Sequence, residues 1–246
     1  MKKKLKVIIP IIAGIILVAV AAFIIAMKNP YKPGEVAKDI IENGTSGVSV
    51  RQYDDYTVFI PYKKNKVGFI FYPGAFVEYD AYAPLLVSLA EKGVFCAVVR
   101  MPENLAFLDI DRAELIKEEY PDIPTWFVGG HSLGGAMVSE YLADNYEDYS
   151  GIIMLASYPS ADLTDTGLPM LIVYGTEDGV LNRGALRRSE KKQPFYTTYY
   201  IINGGNHAQF GDYGKQLGDG VPNITAEKQI SLTTDAMYDF ISSNRP

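Results

Sequence analysis

The chain has 246 residues, 48% apolar and 21% charged, enough for one α/β domain with a substantial core, and nothing in it repeats at a solenoid period. Five lysines and no acid lie in the first thirty residues; without them, 18 basic face 29 acidic side chains, a net charge of −11 that argues against nucleic acid as a partner. One cysteine, Cys96, excludes an intramolecular disulfide and a cysteine cluster for metal, and its place in the apolar run Val94 to Val99 reads as packing.

Lys2, Lys3, Lys4 and Lys6 precede Val7 to Met27, an unbroken apolar run of 21 residues. A helix needs roughly 20 residues to cross a bilayer, whereas a cleaved signal has a shorter apolar region ending in small residues. Ala19-Val20-Ala21 lies inside the run, with Phe23-Ile24-Ile25 still to come, so residues 1–30 are expected to be an uncleaved membrane anchor. A cleaved signal would instead release a secreted protein. The lysines would hold the N-terminus in the cytoplasm and place the rest of the chain on the extracytoplasmic side. Residues 31–47 read as linker and lead-in, with Pro30 to Gly34 a short stiff spacer, and 48–246 as one domain.

Within that domain, Val48 to Val50 and Tyr56 to Ile60 alternate around Asp54-Asp55, which predicts an antiparallel hairpin at a sheet edge. From there the rhythm is strand, then helix. Strands are expected at Val67 to Tyr72, Val94 to Val99, Trp126 to Val128, Gly151 to Ala156, Leu168 to Tyr174 and Thr197 to Ile202. Helices are expected at Tyr82 to Glu91, Arg112 to Glu119, Leu133 to about Tyr146, Leu181 to Lys191 and Ala226 to Ser242. This alternation predicts an α/β fold with a doubly wound, mostly parallel sheet, and an active site at the carboxyl ends of its strands.

Gly130-His131-Ser132-Leu133-Gly134 fits G-x-S-x-G, with a strand leading in and a helical pattern leading out. In that setting serine occupies a strained turn that exposes its hydroxyl, and the glycines let strand and helix approach. Ser132 is therefore the candidate nucleophile. A serine needs a base, and the base an orienting acceptor. Of the two histidines, His131 directly precedes Ser132 and points to the other side of the turn, where it reads as packing. His207, in the loop after the last strand, is the base by elimination.

The acid should follow the nucleophile and precede the base, beyond a strand end. Glu177 and Asp178 both qualify; Asp178 is preferred because it lies deeper in the turn, and Glu177 is the alternative. Two backbone N–H donors are needed for an oxyanion. Leu133 is expected to give one, and Ala75, in the loop Pro73 to Val77, the other, with Phe76 as the alternative. No cofactor and no metal are expected.

The segments Tyr72 to Phe76, Gly130 to Gly135, Tyr174 to Asp178 and Gly205 to Gly211 resemble the α/β-hydrolase fold, in particular small lidless members similar to dienelactone hydrolases. The resemblance covers Val48 to Asn244 and implies a hydrolase with a Ser, Asp, His triad in that chain order, which Ser132, Asp178 and His207 match. The loop carries Pro73-Gly74 where many relatives have His-Gly, and the nucleophile is Ser where dienelactone hydrolases proper have Cys. The expected function is a membrane-anchored serine hydrolase acting on small or surface-presented carboxylic esters. An acyltransferase or peptidase would use the same triad, and a binding module on the same fold would use none of it. Gly211 to Gly220 is expected to be a flexible loop beside the site, and Arg187, Arg188, Lys191 and Lys192 a solvated helix face.

Overall fold

A computed structural model of the chain describes residues 2–63 and 66–245. Helix α1 (Lys2–Lys28) is followed by α2 (Glu35–Asn43) and the antiparallel pair β1 (Val48–Gln52) and β2 (Tyr56–Pro61). Then come β3 (Val67–Tyr72), α3 (Ala83–Glu91), β4 (Phe95–Val99), α4 (Arg112–Glu119), β5 (Thr125–His131), α5 (Leu133–Asn145), β6 (Ile152–Leu155), β7 (Met170–Gly175), α6 (Arg183–Ser189), β8 (Thr197–Ile202) and α7 (Ala226–Asn244). The eight strands form one sheet in the order β1-β2-β4-β3-β5-β6-β7-β8. From β4 to β8 every pairing is parallel, and β2 joins β4 antiparallel.

The central strands are covered on both faces, which is why they read as continuous apolar runs rather than as alternating ones. Period two still sorts their side chains. Phe69 and Phe71 point into one core with α3 and α7, while Ile70 and Tyr72 point into the other with α5. The edge strand β1 behaves differently: Val48 is buried, and Arg51 and Gln52 are exposed. Helix starts are secured locally where the sequence allows it. Asn182 Oδ1 accepts from Ala185 N–H at α6, and Thr225 Oγ1 from Lys228 N–H at α7.

The lead-in departs from expectation. Residues 31–47 contain α2, whose Ala37 is fully buried while Ile40 and Ile41 pack against the core. Its N-cap, Gly34, has no side chain; Asp212 supplies the cap from 175 residues away, its Oδ2 accepting from Ala37 N–H at 2.9 Å. A cap donated by a distant loop leaves no local signal. Nor is Pro30 to Gly34 a free spacer. Tyr31 N–H donates to Phe76 O at 2.7 Å, and Tyr31 O accepts from Glu78 N–H at 2.9 Å, joining the segment to the loop after β3.

The side chains of residues 2–11, 13 and 19, which include the four leading lysines and the first part of the apolar run, lie outside the described residues. Among the described residues, no helix is long and apolar enough to cross a membrane.

Candidate active site

Ser132 sits between β5 and α5 with φ 53° and ψ −121°, a conformation that costs a non-glycine residue on the order of 1–3 kcal/mol. The surroundings enforce it. Ser132 N–H donates to Leu155 O at 2.9 Å, and Ser132 O accepts from the Ser157 hydroxyl at 2.7 Å. A Cβ on Gly130 would stand 2.6 Å from the Gly134 carbonyl carbon, and one on Gly134 would stand 2.3 Å from Tyr72 O. Neither position has room for a side chain, so the tight turn from strand to helix depends on both.

Asp178 and His207 are brought together. His207 Nδ1 lies 2.9 Å from Asp178 Oδ2 and 3.2 Å from Oδ1, with both side chains almost wholly buried. Asp178 Oδ1 also accepts from Val180 N–H and Leu181 N–H, at 2.9 and 2.8 Å, so the carboxylate is aimed by its own turn. Glu177 does not join them; its Oε1 accepts from the Thr176 hydroxyl near the surface. His207 Nε2 has no hydrogen-bond partner among the described residues, and with Ser132 and Leu133 it lines a cavity of about 280 Å3. Ala136, Val180 and Leu181 form apolar parts of the same wall. A groove of similar volume between α2, α3 and α7 contains none of these groups.

The two amide candidates separate clearly. Phe76 N–H is consumed by Asn104 O at 2.9 Å, whereas Ala75 N–H meets no backbone acceptor among the described residues. Leu133 opens α5, so its N–H has no partner within the helix.

His131 is buried beneath this layer. Gly74 N–H donates to Tyr82 Oη at 3.0 Å, and the hydroxyl in turn faces His131 Nδ1 at 2.9 Å. The Tyr82 hydroxyl, already accepting from Gly74, either donates to Nδ1 or accepts a second hydrogen bond from it, according to the imidazole tautomer. Burial, assisted by the neighbouring His207, holds the His131 pKa well below the usual histidine range. His131 is thus a neutral spacer, its ring centre 4.4 Å from that of His207.

Two groups escaped the sequence reading. Asp219 lies in the loop expected to be flexible, yet its Oδ1 accepts from Gly179, His207 and Gly220 N–H and its Oδ2 from Ala208 N–H, at 2.8–3.1 Å. One carboxylate therefore clamps the turn of Asp178 to the loop of His207. Gln229 of α7 closes the other side, accepting from Asn206 N–H at 2.9 Å and donating to Asn206 O at 2.8 Å. Neither residue stands in a motif. Only the proximity of Asp219 to two glycines and a candidate base hinted at a turn-binding role.

A mostly parallel sheet with a strained serine where its central strand β5 turns into a helix is the α/β-hydrolase arrangement. The chain belongs to the alpha/beta hydrolase family, whose model matches residues 68–231. Solved structures share the fold at low identity. They include a CIB-like hydrolase from Thermoplasma acidophilum (15% identity, TM-score 0.57, 78% of this chain and 100% of that one). Est1E from Butyrivibrio proteoclasticus is similar at 15% identity and TM-score 0.56, over 80% and 100% of the two chains. Carboxyl esterase 2 from Tuber melanosporum is similar at 12% identity and TM-score 0.61, over 88% and 92%. A search of curated proteins found no match.

Proposed function

We propose that this chain is a serine hydrolase of carboxylic esters, anchored in the cell membrane by α1 with residues 48–246 as its catalytic domain on the extracytoplasmic side. The observation that carries the chemistry is the buried pair of His207 Nδ1 and Asp178 Oδ2, 2.9 Å apart, beside a cavity that Ser132 and His207 both line. In this reading His207 Nε2 takes the Ser132 proton as Oγ attacks the ester carbonyl, and Asp178 keeps the proton of the imidazole on Nδ1. The tetrahedral oxyanion is received by the N–H groups of Ala75 and Leu133. Its collapse expels the alcohol, protonated by His207; water, deprotonated by the same base, then releases the acid and restores Ser132. No metal or cofactor enters any step.

Ester substrates are supported by the open approach to the cavity. Residues 156–169, between β6 and β7, contain no helix that could form a lid. One of the proteins that share the fold, from Tuber melanosporum, is named a carboxyl esterase, which is support by analogy. The anchor is supported by α1 itself. Its sequence carries the 21-residue apolar run Val7 to Met27, and among its described side chains Ile15, Leu17 and Val18 are each at least 65% exposed.

A fluorophosphonate probe tests the chemistry. Labelling of the folded protein at Ser132, abolished in Ser132→Ala, is the expected result; an unlabelled, folded wild type would leave a binding module. Carbonate-resistant membrane partitioning, with the domain open to protease on intact cells, tests the placement. Recovery of a soluble form beginning near Phe23 would mean a cleaved signal.

A further inference from the structure

The end of α1 is joined to two loops beside the proposed triad, the one that carries Ala75 and the one whose Asp219 accepts from His207 N–H. The Phe23 ring, in the last part of the helix, packs edge-on against Phe76 with ring centres 5.5 Å apart. Phe76 directly follows Ala75. Three residues beyond the helix, Tyr31 bonds through its backbone to Phe76 and Glu78, and its hydroxyl accepts from Leu217 N–H at 3.1 Å. Leu217 belongs to the same loop as Asp219, the clamp on His207. The anchor and both site loops therefore form one connected unit at the carboxyl end of the sheet.

This connection fixes a depth. Phe23 precedes Lys28 by five residues, so along a helix axis it lies about 7 Å deeper than the lysine. If Lys28 marks the water boundary, Phe76 is held at the level of the lipid headgroups, and Ala75 is one residue away. The same end of the molecule exposes large apolar side chains: Leu217 at 92%, Val221 at 83%, and Phe107 and Leu108 at 49% each. Phe107 and Leu108 follow Asn104, the residue bonded to Phe76, and their short turn packs against α5, the helix that begins at Leu133. Exposed apolar groups next to a hydrophobic anchor are the composition of a surface that rests in a bilayer interface, where tyrosines such as Tyr31 also settle.

We infer that the Ser132 cavity opens onto the lipid surface and that its substrates are acyl esters of amphiphiles lying in that surface. This rests on the serine-hydrolase and anchor readings above and adds the substrate's location and class. The ester carbonyl would reach Ser132 along the bilayer plane, with its chain against Leu133, Ala136 and Leu181, while water enters from the opposite side to deacylate.

The test uses the full-length protein in phosphatidylcholine vesicles. Cys96 is fully buried, so a bimane label on Leu217→Cys or on Phe195→Cys reports the introduced thiol. Phe195 is 89% exposed but precedes β8, at the opposite end of the sheet from Ser132. Brominated phosphatidylcholine is expected to quench the label at 217 and spare that at 195. Equal quenching, or none at 217 in protein that sediments with the vesicles, overturns the inference. In turnover, Leu217→Ser is expected to lower hydrolysis of a vesicle-embedded long-chain ester about tenfold relative to soluble p-nitrophenyl butyrate, while Phe195→Ser leaves that ratio unchanged. A wild type that takes up fluorophosphonate and cleaves butyrate but not the embedded ester keeps its hydrolase assignment and loses the lipid-facing one. Quenching at 217 without fluorophosphonate labelling overturns the hydrolase reading and, with it, the substrate class.

Discussion

Replacing Asp219 by alanine removes an acceptor shared by four backbone amides, two of which, His207 N–H and Ala208 N–H, belong to buried residues. A buried amide that loses its partner costs about 1–3 kcal/mol, and Asp219 is partly exposed, so water can repair some of the loss; about 2–3 kcal/mol of stability should disappear. At a urea dependence of about 2–3 kcal/mol per molar, the unfolding midpoint would move down by about 1 M. Catalysis should suffer separately. Asp219 fixes the backbone that carries the proposed base relative to the turn that carries its acid, and displacement of a catalytic group by about 1 Å can cost a hundredfold in rate. The effect should fall on kcat for p-nitrophenyl acetate with KM nearly unchanged, because the residue does not line the cavity. Asp219→Asn is the graded control. With its amide oxygen in the place of Oδ1 it keeps three of the four bonds and should lose far less than alanine on both readouts. An alanine variant that is destabilised yet retains kcat within about twofold would refute the positioning role and leave Asp219 a purely structural staple.

Three further outcomes are expected of the site. His207→Ala should lower ester turnover by several powers of ten, whereas His131→Ala, acting through Tyr82 and the Gly74 loop, should cost about ten- to hundredfold, or about 1.4–2.7 kcal/mol; equal losses in purified, folded variants would reverse the choice of base. Asp178→Asn should resemble the His207 change, and Glu177→Gln should be nearly silent, since only Asp178 touches the imidazole. His131 also predicts a pH dependence of stability. Its pKa is depressed by burial, so the unfolded chain binds the extra proton first: the contribution is intact above pH 6.5 and is lost as pH falls below it, by up to about 1.4 kcal/mol per pH unit. Urea midpoints between pH 7.5 and 5 should show this slope in the wild type and a shallower one in His131→Gln; identical slopes would remove His131 as the cause.

The alternation of strands and helices was legible because each element leaves its period in the sequence, and Val67 to Tyr72 and Arg112 to Glu119 have the bounds their patterns predict. So was the turn at Ser132, where Gly130 and Gly134 are local steric requirements. The short helix α2 was missed because its start is capped by Asp212, far along the chain.

By itself, the order of residues determined that a serine would stand on a strained turn with two carboxylates and one free histidine further along the chain, because local sterics and chain order suffice for that much. Only the tertiary structure decided between Asp178 and Glu177 as partner of His207, left Ala75 rather than Phe76 with an open amide, and placed Asp219 across both loops. It also decided that α1 ends against the loop of Ala75. Each of these depends on where one lone pair or one N–H group lies in space relative to a segment tens of residues away, and hydrogen bonds between loops impose no periodicity on the chain that makes them.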